Sequence, residues 1–245
     1  MTPQQESVHR ESVALAVALT FPTFGAWLYF IELAGHAWAQ HAYFATKTIQ
    51  FSLPLLALWL LLPKPSFSEP PWYQRRPGRA LLWGLLSGLA MLVLPLALYF
   101  GLLRGSDLAV EATMRIAPKL EDFGVTQLGP YLLLAVLLSV VHSLLEEFYH
   151  RWFIFGRLRL AYGVSVAMVL SALGFMAHHV IVIATYLGPD HWVLTTVLSL
   201  AVAASGAFWA WLYNRCGSLL APWVSHILAD LGIMAIGYDL VWGVI

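Results

Sequence analysis

"YLLLAVLLSVVHSLLEEFYHRWFIFGRL", residues 131–158, decides the fold. Its first eleven residues hold no charge, and the apolar character returns at "WFIF". An apolar helix of about 20 residues crosses a bilayer, so the stretch reads as a membrane span rather than a strand or a soluble surface helix. Within it lie His142, Glu146, Glu147, His150 and Arg151. A charge at bilayer depth costs at least ~2.5–3.5 kcal/mol on insertion scales, so such residues need partners and a purpose.

The rest of the chain agrees with that reading. Of 245 residues, 60% are hydrophobic and only 11% charged, against about 25% charged in a soluble domain. The ~10-residue alternation of an outer-membrane barrel is absent. Thirteen basic residues balance thirteen acidic ones, and no basic patch points to a nucleic-acid partner. The single cysteine, Cys216, excludes an internal disulfide and a cysteine metal site. "AWA" at 37–39 mimics a signal-peptide cleavage site, but the apolar segment before it, about 13–33, exceeds the 7–15 residues of a signal core and reads as a retained first span.

Seven spans follow from hydropathy, at about 12–35, 42–62, 80–103, 130–157, 163–187, 192–213 and 218–236. The C-terminal "YDLVWGVI" extends the last or forms an eighth element. The fold class is all-α, a polytopic transmembrane bundle of about seven to eight spans. The proline- and arginine-rich segment 63–79 reads as a membrane-surface loop, and 104–129 as holding a short interfacial helix that ends before Pro118. With the N-terminus inside, Arg10, Lys64, Arg75, Arg76, Arg79, Arg157, Arg159 and Arg215 fall on the cytoplasmic side, against Arg104, Arg115, Lys119 and Lys47 opposite. The positive-inside rule favours that orientation. Trp83, Trp152, Trp209 and Trp211 fall near the inner boundary, Trp38 and Trp192 near the outer, as an aromatic belt.

Three ionisable clusters remain inside spans: Glu146, Glu147, His150 and Arg151; His178 and His179 after Phe175; and His226 with Asp230. Residues four apart share a helix face, pairing Glu147 with Arg151, His226 with Asp230, and Glu146 with His142 or His150. For Glu147–Arg151 the plain reading is a neutralising ion pair. Glu146 is either a partner of a neighbouring histidine or a general base acting on water. Three clusters on three helices satisfy one another by converging. Such a set fits a zinc site, metal-free hydrolysis with imidazole donors to an oxyanion, or a proton relay in a carrier. Spacing alone leaves these open.

The order EExxxR (Glu146, Glu147, Arg151), FxxxH (Phe175, His179) and HxxxD (His226, Asp230) resembles the CPBP family, the CAAX proteases and bacteriocin-processing enzymes, also called Abi. The likeness covers roughly 130–236, supported by "YNRCGSLLAPWVSHILAD" (213–230). It divides the chain into N-terminal membrane helices over 1–129, about three spans, and a catalytic core over 130–245, about four.

The resemblance implies a glutamic-type intramembrane endopeptidase acting on a membrane-anchored protein or peptide in the cytoplasmic membrane. No cofactor is expected, zinc being the alternative. It implies that Glu146 activates water, that Glu147 and Arg151 support it, and that His179 holds the water or the base, with His178 in reserve. His226 with residue 230 resembles the oxyanion-stabilising pair. Position 230 is Asp where the prenyl-protein proteases have Asn, and an ionised Asp only accepts hydrogen bonds; Asp230 is therefore expected to orient His226. A non-catalytic bacteriocin-immunity protein and a proton-coupled carrier are the competing classes, though no repeat symmetry favours the carrier.

Overall fold

The computed structural model describes residues 3–60 and 77–243. They form eight helices and, among the described residues, no strand: α1 (Pro3–Trp27, continued by a π-wound turn Leu28–Glu32), α2 (Ala39–Leu60), α3 (Pro77–Leu103), α4 (Asp107–Asp122), α5 (Leu128–Tyr162), α6 (Val164–Leu187), α7 (Pro189–Cys216) and α8 (Leu220–Gly243). Six of these, all but α2 and α4, are long and apolar enough to cross a membrane. The protein is an all-α integral membrane protein. α2 coincides with the expected second span and has 22 residues, but Lys47 and Gln50 interrupt its apolar run. Most of the expected surface loop lies outside the described residues.

The interfacial helix is longer than its sequence suggests. α4 runs through Pro118 to Asp122, because an internal proline forfeits one backbone bond and does not always end a helix. The real stop is a glycine cap. Gly124, at φ +70°, lets its N–H reach the Glu121 carbonyl (2.8 Å) and that of Val125 reach Leu120 (2.8 Å), a Schellman closure. At the start, the Ser106 hydroxyl accepts from the Ala109 N–H at 3.3 Å. "YDLVWG" extends α8 through a π-wound turn, Asp239–Gly243. Arg104 grips Asp239 with two nitrogens (2.9 and 3.1 Å), and Tyr99 donates to the same carboxylate (2.9 Å).

The chain divides into two compact units. The first draws on Met1–Tyr73, Phe148–Ile183 and Thr196–Trp211. Its core is the buried run of α5, the aromatic Tyr149, Phe153 and Phe155 with the aliphatic Ile154. The Tyr149 hydroxyl donates to the Ala18 carbonyl of α1 (2.8 Å), and Arg157 pairs with Glu11 (2.9 Å), so α1 begins and α5 finishes at the same end of this unit. Trp152 and Trp209 depart from the aromatic-belt expectation: they are 8% and 3% exposed and belong to the core. Trp38 and Trp192, 68% and 70% exposed, have the exposure a belt requires.

The second unit draws on Gln74–Glu147, Ala184–Thr195 and Leu212–Ile245. Its spine is the contact of α3 with α8, where small residues let two backbones close up. A Cβ added at Gly84 would lie 2.8 Å from the Ala221 carbonyl oxygen, and one at Gly88 only 2.9 Å from the Ser225 Cα and 2.7 Å from Leu228 Cδ1. The hydroxyls of Ser87 and Ser225 meet across the seam at 3.0 Å. Gly84 and Gly88 form a small-xxx-small pair, "GLLSG", within the third expected span.

Gly88→Leu is expected to lower the thermal midpoint in detergent, since overpacking against backbone costs about 1–3 kcal/mol. It also displaces Ser225, the residue before His226, and so reduces activity. Gly101→Leu is the control, because a Cβ there meets nothing within 4 Å. A Gly88→Leu protein as stable as the Gly101→Leu protein would refute the seam.

Candidate active site

α5 changes its winding along its length. It is α-helical over Leu128–Val136, π-wound over Leu137–His142, α-helical over Ser143–Glu147, and π-wound again over Phe148–Phe155. π-winding replaces i→i+4 bonds by i→i+5 bonds and frequently marks functional sites. One α-wound turn therefore carries both glutamates. Ser143, fully buried, pins that turn by donating to the Ser139 carbonyl. The Trp223 indole N–H of α8 donates to the Val140 carbonyl at 3.0 Å, tying α8 to α5 three residues before His226.

Around His226 the second unit gathers three carboxylates. Nδ1 of the ring lies 2.8 Å from Glu147 Oε1. Nε2 faces Asp230 Oδ1 at 3.5 Å and Glu146 Oε2 at 3.9 Å. The other oxygen of Glu146, Oε1, lies 3.2 Å from Nε2 of His142. Glu147 is fully buried, while the Glu146 and His226 side chains are each 5% exposed. A ring whose Nδ1–H donates to Glu147 presents Nε2 as an acceptor when neutral and as a donor when protonated. The arrangement is suited to moving a proton between a carboxylate, an imidazole and a third party.

The remaining sequence-derived candidates lie in the first unit. The Arg151 guanidinium sits over the rings of Phe175 and Trp209, at 4.5 and 5.1 Å, a cation–π arrangement that favours a buried charge. His178 is buried and lies nearly parallel to His150, with centroids 6.0 Å apart. His179 places Nδ1 2.8 Å from the Phe175 carbonyl of its own helix, a contact that makes Nδ1 the donor and leaves Nε2 as the acceptor of a neutral ring. His142, a flank in the sequence, proves to be a neighbour of Glu146; the i,i+4 spacing was the signal. Among the described residues, no group of three or more His, Cys, Asp or Glu is placed to hold a metal ion.

Residues 128–232 match the family model for type II CAAX prenyl endopeptidases, described as Rce1-like. No curated protein and no solved structure matches the chain. The matched residues contain all three motifs in order, from Glu146 to Asp230. Over these residues this integral membrane protein is similar to the type II CAAX prenyl endopeptidases, consistent with the CPBP family of CAAX proteases and bacteriocin-processing enzymes.

Proposed function

We propose that the protein is a glutamic-type intramembrane endopeptidase that needs no metal. The observation that carries this reading is the His226 ring, held on one nitrogen by Glu147 at 2.8 Å and facing Glu146 and Asp230 with the other. At 3.9 Å, Nε2 and Glu146 Oε2 are too far apart for a direct hydrogen bond, and one water can touch both. Glu146 takes a proton from that water as its oxygen attacks the scissile carbonyl. His226, carrying the proton that lets Nε2–H donate, stabilises the oxyanion. Asp230, an acceptor when ionised, keeps the ring turned and charged, as its 3.5 Å separation supports. Glu147 anchors the opposite nitrogen. The collapsing intermediate returns the proton to the departing amine, so carboxylate and imidazole end the cycle as they began.

On the motif likeness alone, the assignment extends to Arg151 and His179 as residues whose loss lowers activity, with 130–245 as the catalytic part. The substrate class we infer is a membrane-anchored protein or peptide. The cytoplasmic membrane with the N-terminus inside fits the distribution of Lys and Arg, and the Arg157–Glu11 pair at one end of the first unit agrees with it.

The test uses protein purified in detergent, a farnesylated CAAX peptide and an unprenylated single-span anchor peptide, with products read by mass spectrometry. Cleavage of one of them, unaffected by chelator, is expected. Failure to cut either peptide, or activity that leaves with stoichiometric zinc, would overturn the reading.

A further inference from the structure

We propose that His142 is a positioning residue for the base, holding Glu146 Oε1 so that Oε2 faces His226 and receives the proton of water. This rests on the assignment of Glu146 as the base. Three observations on one turn of α5 carry it. His142 is the last residue of the π-wound segment Leu137–His142; winding then reverts to α, which sets His142 and Glu146, four apart, on a common face. The separation is 3.2 Å, within hydrogen-bond reach of a ring nitrogen. And the two carboxylate oxygens are divided between two imidazoles, Oε1 to His142 and Oε2 toward His226.

The two rings differ in access. His226 is enclosed by Glu146, Glu147 and Asp230, with its side chain 5% exposed, whereas that of His142 is 26% exposed.

The proton count stays closed. One O–H bond of water breaks as the C–O bond forms, and that proton goes to Oε2. As the C–N bond breaks it passes to the leaving nitrogen. Throughout, the His142 N–H stays on Oε1, and the ring's protonation state is unchanged over a turnover.

Two variants test the proposal, using the peptide of the pair above that the parent cleaves. His142→Leu removes the donor and is expected to lose on the order of 10² in kcat, the scale of a slight misplacement of a reacting group, with little change in KM. His142→Gln keeps a side-chain N–H that cannot titrate. It is expected to recover kcat to within about tenfold of the parent, again with little change in KM. A His142→Leu protein within about threefold of the parent, or a His142→Gln protein no more active than His142→Leu, overturns the proposal. Glu146→Gln separates the two levels. If it remains active, the base assignment falls and this inference with it; if it is inactive while His142→Leu behaves as the parent, only the role of His142 is lost.

Discussion

Glu146→Gln is expected to lower kcat for peptide cleavage by between about 10² and 10⁴, the span attributed to a general base, with KM and the melting transition close to those of the parent. The substitution keeps the shape of the side chain and an acceptor oxygen for His142, so the turn Ser143–Glu147 retains its neighbours while the group that takes the proton is gone. Removing a charge from a 5% exposed side chain does not by itself destabilise an apolar bundle, since the charged form bears the larger desolvation penalty. The stability readout therefore separates lost chemistry from lost fold. Glu146→Ala should be equally inactive but less stable, because His142 then loses the neighbour that sits at 3.2 Å. Single-turnover cleavage of the same peptide checks the assignment. A Glu146→Gln protein within about tenfold of the parent would transfer the base role to another residue, with Glu147 disfavoured because its Oε1 is engaged by His226.

Much of this protein can be read from its sequence because hydropathy over a bilayer is a strong signal and ionisable residues in a span are rare. Six of the seven expected spans and the positions of all three clusters in the chain follow from those two facts. What stays hidden depends on packing. Nothing in "LLSVVH" or "FYHRWFIF" announces π-winding, which arises where tertiary contacts favour an extra residue in the turn. Yet that winding delimits the α-helical turn that brings His142 onto Glu146. Trp152 and Trp209 have belt-like positions in the chain, and only the fold buries them, Trp209 against Arg151. Pro118 looks like a helix end until Gly124 is seen to close α4. The Gly84–Gly88 pair was legible, but a third span rich in leucine gives no reason to look for a seam until α8 is laid against it.

His226→Ala should be the most damaging change to stability and activity together. Three carboxylates face the ring, and its removal leaves Glu147, fully buried, without the nitrogen 2.8 Å from its Oε1. A hydrogen bond to a charged group contributes about 1.5–3 kcal/mol, and a loss of that order is expected in denaturation measured in detergent. Catalysis loses the oxyanion donor as well, worth on the order of 10²–10³ in kcat. The two effects are separable. Glu147→Gln, combined with His226→Ala, removes a charge that the single variant leaves buried, so the double variant should be more stable than His226→Ala alone while remaining equally inactive. Non-additivity of this kind is what a directly coupled pair produces. Glu147→Gln by itself frees the ring to turn, and should reduce kcat by less than His226→Ala does. Stability changes that simply add would mean that Glu147 does not anchor His226. A His226→Ala enzyme retaining more than about a tenth of parental kcat would remove the oxyanion role from this ring and leave it a structural tie between α8 and α5.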